Sequence, residues 1–297
     1  MMTIENTELT KYTFSGHDSF HCRQLWLKKG YDFVKQGKSF NDEYSVVLLG
    51  VGKNMVSSIR YWLKAFNVID NKDNLTEFGK RLFDDEIGYD PFLEDEASIW
   101  LLHYQLVKNK FSSIYHIIFN EFRKEKMFFN KETFVNYIKR ISDINPDLNV
   151  NEKTVSKDFE VFINLYKSGS EIKELEDNFS GILSEIEILR SLPKEKGAPD
   201  HYYIENNLQD NLPNEIVLYA ILDNPSYGNS ISLNALEFNI NSPGSIFALN
   251  RSGLLNKISE IVDDNKDIIF TDHAGIKELQ FKNKPKPYTI LDKYYAK

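Results

Sequence analysis

The sequence predicts a mainly helical α+β fold in which repeated winged helix-turn-helix-like units pack together around small β ribbons. Three observations carry this. Glycine and proline are scarce, 14 and 9 among 297 residues, below what a turn-dense sandwich or propeller uses. Apolar residues recur at helical spacing in several stretches, and breakers separate those stretches. Hydrophobic residues make up 41% and charged residues 27%, the balance of a chain that buries a core.

In order, the first unit is expected over 1–95. Met55, Val56, Ile59, Trp62, Leu63 and Phe66 form one stripe of a helix. An extended Asn67 to Ile69 follows, then a polar turn over Asp70 to Asn74, then Leu75 to Gly79 as a short strand or a second helix cap. The second unit, 96–210, opens with the apolar and aromatic stretch Ile99 to Phe129, read as buried joining helices. One helix is then marked by Phe134, Ile138 and Ile141 and the next by Val155, Phe159, Phe162, Ile163 and Tyr166, with a breaker at Asn145-Pro146-Asp147 between them. Leu183 to Leu189 and His201 to Ile204 are expected to pair as a wing hairpin. The third unit, 211–297, is an α/β unit with a basic tail: helices begin near Pro213 and at Ser242-Pro243-Gly244, where serine caps and proline starts a helix. Gly253 reads as a break in the next helix, and Asp267 to Thr271 as a strand running into His273-Ala274-Gly275.

The single cysteine, Cys22, excludes an intramolecular disulfide and any zinc site built on several thiolates. No apolar run reaches the ~18 residues of a spanning helix, and the first residues lack the pattern of a secretory signal. The expectation is a cytoplasmic protein with no membrane partner. Net charge is −8, which argues against an all-over basic coat for nucleic acid, yet the charge is unevenly distributed. Arg23, Lys28, Lys29, Lys35 and Lys38 lie close together, 50–66 holds Lys53, Arg60 and Lys64 with no acid, and 84–98 holds seven acids with no base.

The polar side of the best-defined helix carries Lys53, Asn54, Ser57, Arg60, Tyr61 and Lys64, side chains that bond to phosphates, and none is acidic. With Lys28 and Lys29 these are the expected contacts to double-stranded DNA. Gly50-Val51-Gly52-Lys53 lacks the spacing of a nucleotide phosphate loop. The simpler reading is a helix N-terminus that, with Lys53, anchors a DNA phosphate. The cluster from Gly16 to Arg23 is the densest in chemistry: on a helix, His17 and His21 would share a face and Asp18 and Cys22 would neighbour them. That is a weak metal signal without a third ligand. Arg23 grips phosphate or pairs with Asp18 or the acidic run. His17, Asp18 and Arg23 are thus the weak catalytic candidates, and no metal site is assigned. The acidic run reads either as a solvated loop or as a holder of Mg²⁺ for phosphodiester cleavage. His103 and His116 read as core residues, and His273 as a turn residue.

Phe14 to Phe20, Trp26 to Gly30, Leu49-Gly50-Val51-Gly52-Lys53-Asn54-Met55-Val56, Ile59 to Trp62, Asp90 to Asp95, Thr154-Val155 with Lys157-Asp158, Ser242-Pro243-Gly244 and Asp272 with Ala274-Gly275 together resemble the SspB-like family. This is a bacterial domain-of-unknown-function family encoded beside a cysteine desulfurase and a phosphoadenosine-phosphosulfate-reductase-like protein. The resemblance covers nearly the whole chain, and the run from Leu49 to Val56 is its most specific part. It implies a DNA-binding component of a DNA phosphorothioation, anti-phage system, nicking one strand for sulfur insertion with Mg²⁺ or Mn²⁺. The implied partners are sulfur-transfer and ATPase subunits. Asp18 stands where the family commonly has Glu, and His21 and Cys22 where it has non-titratable residues, which argues against a shared His-Cys metal site. The alternatives are a non-catalytic DNA-recognition or scaffold subunit and a transcription regulator.

Overall fold

The computed structural model describes residues 12–145, 150–167, 181–193 and 199–296. Helices with small antiparallel sheets make up the fold, as the sparse glycine and the helical periodicity require. The chain begins with α1 (Trp26–Lys35), α2 (Ser45–Leu49), α3 (Lys53–Ala65) and α4 (Glu77–Phe83). Val56, Ile59, Trp62 and Leu63 of α3, with Phe66 just past its end, are all buried, each contributing about 1.5–3 kcal/mol of apolar transfer. The ribbon expected after α3 reduces to one antiparallel bridge, Ile69 to Leu75. The chain cannot continue as a strand there, because Thr76 caps α4 instead, its Oγ1 accepting from Gly79 N at 2.9 Å.

Next come α5 (Glu96–Asn109), α6 (Ser113–Ile117), a π-helical turn (Ile118–Phe122) and α7 (Arg123–Glu125). Helix α5 is apolar on every side and buried from Ala97 to Val107, so it is the axis of the core. His103 shows how it is held. Its Nε2 donates to Ile246 O at 2.8 Å, which leaves Nδ1 to accept from the Tyr166 hydroxyl at 2.8 Å. The reading of His103 as a core residue therefore stands.

Two stretches share one topology. In the first, β1 (Phe128–Phe129), α8 (Lys131–Ile144), α9 (Glu152–Tyr166), β2 (Arg190–Ser191) and β3 (Tyr202–Tyr203) form an antiparallel sheet in the order β1-β3-β2. In the second, β4 (Ser230–Ser232) follows α10 (Asn214–Asp223). Then α11 (Leu233–Phe238), α12 (Pro243–Ile246) and α13 (Arg251–Asp264) lead to β5 (Ile268–His273) and β6 (Ile276–Phe281), in the order β4-β6-β5. Asn130 makes a reciprocal capping box with Thr133 at the start of α8. Ser242 caps α12 with Pro243 in its first turn, as expected.

Three expectations are corrected. Leu183 to Leu189 is not a strand: Ser184–Ile186 is a 3₁₀ turn, and the strand that pairs with Tyr202–Tyr203 is Arg190–Ser191. Gly253 does not break a helix; it sits in the first turn of α13, where its N–H donates to the Asn250 cap at 2.8 Å. The segment His17 to Cys22 is not helical. The breaker at Pro146-Asp147 and 194–198 of the expected wing loop lie outside the described residues. The last helix, α14 (Pro287–Tyr295), returns to the first segment. Asp292 accepts from Arg81 at 2.8 Å, and the Tyr295 ring stacks on Tyr89 with centroids 4.7 Å apart.

Candidate nucleic-acid interface

Helices α2 and α3 are joined by Gly50-Val51-Gly52. Gly50 ends α2 in the left-handed region at φ 62°. Gly52 begins α3 in extended conformation with no side-chain cap, and the first turn of α3 carries no acid. Its backbone N–H groups and the positive end of the helix dipole therefore face solvent. Lys53, Asn54 and Ser57 are exposed around them. Lys29, exposed on α1, reaches across to donate to Leu49 O at 3.0 Å, which sets its ammonium beside the same turn.

The other expected contacts are placed differently. Tyr61 is buried, because the loop before α1 covers that side of α3. Lys28 is buried as well, its Nζ 2.6 Å from both Asp32 and Asp85. Arg60 makes a two-pronged pair with Asp73, at 3.0 and 2.5 Å, and Lys64 lies 2.9 Å from the same carboxylate. Burial alone would raise the Asp73 carboxyl, and the Arg60 and Lys64 cations outweigh it and hold the group below its ordinary value. Periodicity did not show these pairings, since the acids come from outside α3. Sequence reading also missed exposed apolar residues on α1 and around α2: Leu25, Tyr44, Val47 and Leu48.

Below this surface lies His17. Its Nδ1 accepts from Ser19 N–H at 3.2 Å, so the ring proton sits on Nε2 and is donated to Asp158 Oδ1 at 3.0 Å. Asp158 Oδ1 also accepts from Ser15 N–H at 2.8 Å. The loop is wound tightly enough for this by three non-glycine residues at positive φ, Ser15, Asp18 and Ser19, and by Gly16 at φ 108°. A Cβ on Gly16 would lie 2.7 Å from the Tyr61 ring. The Asp158 Oδ2 atom is buried without a hydrogen-bond partner among the described residues. The side chain of His17 is therefore a structural joint between the first loop and α9, while Asp18 is exposed.

Because 17–22 is not helical, His17 and His21 do not share a helix face. Burial pushes the Cys22 thiol well above its ordinary value, which makes it a poor ligand. Arg23 bridges to Gly181 through its backbone and sets its guanidinium 5.5 Å from the Trp26 ring centroid. The acidic run is largely engaged. Asp84 pairs with Lys35 at 2.9 Å, Asp85 with Lys28, and Asp90 accepts from the backbone of Glu94 and Asp95. Lys35 and the backbone N–H groups of Glu86 and Ile87 hold the Asp84 carboxyl far below its ordinary value. Among the described residues no three His, Cys, Asp or Glu side chains group as a metal site. No helix among them is long and apolar enough to cross a membrane.

The DUF4007 family, described as proteins of unknown function, matches residues 14–295. The chain belongs to this family. Among solved structures, the DUF4007 chain is similar to a magnesium ion-bound SspB crystal structure, with a TM-score of 0.84 and 25% identity over 96% of this chain and 88% of that one. A second SspB crystal structure gives a TM-score of 0.79 at 24% identity over the same shares. No curated protein sequence matches. The DUF4007 chain is thus SspB-like along nearly its whole length.

Proposed function

We propose that this DUF4007 protein is the DNA-binding component of a bacterial DNA phosphorothioation system serving phage defence, working beside sulfur-transfer and ATPase subunits. The observation that carries the reading is the uncapped N-terminus of α3, free of acid in its first turn and flanked by exposed Lys53, Asn54, Ser57 and Lys29. Such an end takes a phosphate by backbone N–H groups, dipole and ammonium together. Two further features support it. The likeness to SspB runs along the whole chain. A three-stranded antiparallel sheet with its last strand central occurs twice, once with two helices and once with three after its first strand, which supports the winged-helix reading. The three units are proposed to divide at 95 and 210.

Nicking of one strand is the second reading, favoured by the magnesium in the SspB structure; no step is assigned to a carboxylate of this chain. The test is incubation of the purified protein with supercoiled plasmid, with and without Mg²⁺ or Mn²⁺, beside a mobility-shift titration on linear duplex. Shifted, intact DNA identifies a recognition subunit. Metal-dependent open circles identify a nickase. No shift at low salt defeats both.

A further inference from the structure

Between the β1–β3 sheet and the α11–α12 corner is a cleft of about 450 Å³, the size of a small-ligand site. At its wall stands Arg123, half-buried at the start of α7. Its Nε donates to Phe119 O at 3.1 Å, Nη1 to Asn206 Oδ1 at 2.6 Å, and Nη2 to Gly244 O and Ser245 O at 3.2 and 2.9 Å. Carbonyl oxygens orient the guanidinium, among the described residues no carboxylate pairs with it, and burial draws its pKa down to about 10. Beside it Lys124 gives one proton to Phe238 O at 2.9 Å. Among the described residues one Nη1 proton and two Nζ protons have no hydrogen-bond acceptor.

The rest of the lining has a different character. Met127, Phe128 and Phe238 line the cleft and are 70%, 48% and 51% exposed, an apolar rim of the kind that marks a binding site. Glu237, also in the lining, keeps its buried Oε2 3.8 Å from Arg251 Nη1. The Ser242-Pro243-Gly244 motif builds the corner: a Cβ on Gly244 would fall 2.3 Å from Glu237 O, so only glycine lets α12 approach α11 this closely and turn two carbonyls toward Arg123.

Donors for an anion beside flat apolar side chains in one cleft of this size match a single nucleotide. We infer that the cleft holds one unstacked nucleotide of DNA, its phosphate at Arg123 and Lys124 and its base against Phe128 and Phe238. The inference rests on the DNA-binding reading above. A peptide carrying an acid and an apolar side chain is the rival occupant.

The experiment compares the full-length protein on two labelled duplexes by fluorescence anisotropy, one fully paired and one with a single-nucleotide adenine bulge. The bulged duplex is expected to bind about tenfold more tightly, within the range of one base stacked on an aromatic ring. Phe238→Ala, at an exposed position, abolishes that preference and leaves the paired duplex and the melting temperature unchanged. Equal affinity for bulged and paired duplexes overturns the nucleotide site while leaving DNA binding intact. Loss of all DNA binding by the wild-type protein overturns both readings. A Phe238→Ala variant that keeps the bulge preference but no longer co-purifies with a partner protein replaces the nucleotide with a peptide.

Discussion

His17 donates its Nε2 proton to Asp158 across 141 positions of sequence, at 3.0 Å and out of contact with water. The pair closes a polar joint in which the same Asp158 oxygen also accepts the Ser15 N–H, so one carboxylate fixes both the backbone and the ring of the first loop. That loop in turn covers Tyr61 and Trp62, whose rings lie 5.4 and 6.1 Å from the imidazole. The α3 surface that carries Lys53 is thereby held in place from behind.

Removing the acceptor strands one buried donor and one part-buried one. Asp158→Ala is expected to cost about 2–3 kcal/mol, chiefly because the buried His17 N–H loses its partner while the exposed Ser15 loses its loop contact. Asp158→Asn keeps an acceptor oxygen and is expected to cost clearly less. Urea denaturation midpoints of the two variants decide this, and equal losses would show that the charge rather than the acceptor matters.

Exposed and paired cations on α3 are expected to behave differently. Lys53→Ala should weaken duplex binding and lower the magnitude of the salt slope by about one phosphate contact, with no change in stability. Arg60→Ala removes the Asp73 pair and should cost up to about 1 kcal/mol of stability, being only half-buried. Titrations at several salt concentrations, read beside thermal melts, separate the two effects.

Acid should destabilise the fold in two stages. Burial holds the His103 imidazole down at about 4, against about 6.5 in the unfolded chain. Between those values the unfolded state binds the extra proton, so stability is full above about pH 6.5 and falls by up to about 3 kcal/mol on the way to pH 4. Below about pH 4 the depressed carboxyls of Asp84 and Asp85 add a second loss as they are protonated and release Lys35 and Lys28. Melting temperatures from pH 7.5 to 3 measure both stages, and His103→Gln is expected to flatten the first alone.

Gly16→Ala places a methyl group against the Tyr61 ring at a backbone angle that L residues rarely adopt. A cost of about 1–3 kcal/mol is expected. A melting temperature equal to that of the unaltered protein would mean that the loop can open away from α3 freely.

The elements legible in the sequence were those governed by neighbours in the chain. The stripe of α3, the cap at Ser242, the buried run of α5 and the strand at Asp267 to Thr271 follow from periodicity and side-chain to backbone bonds within a few residues. Of the two readings given for Leu75 to Gly79 the helix cap is the one the chain adopts, Thr76 accepting from Gly79, and the ribbon is left with the single Ile69 to Leu75 bridge. The strand before the wing was misplaced: a run of alternating apolar residues from Leu183 to Leu189 packs equally well as a turn against α5 and α9.

The candidate interface was half legible. By itself the sequence determined a helix that starts at Gly52-Lys53 without an acid nearby, since the spacing of glycine, lysine and the apolar stripe leaves no other start. Only the tertiary structure decided which of the polar residues on α3 face solvent. Asp73 and Asp85 arrive from other elements to pair Arg60, Lys64 and Lys28, and the His17 loop encloses Tyr61. The physical reason is range: helical periodicity is set by contacts three and four residues apart, whereas the pairing of a charge depends on which acid the fold brings within about 4 Å of it.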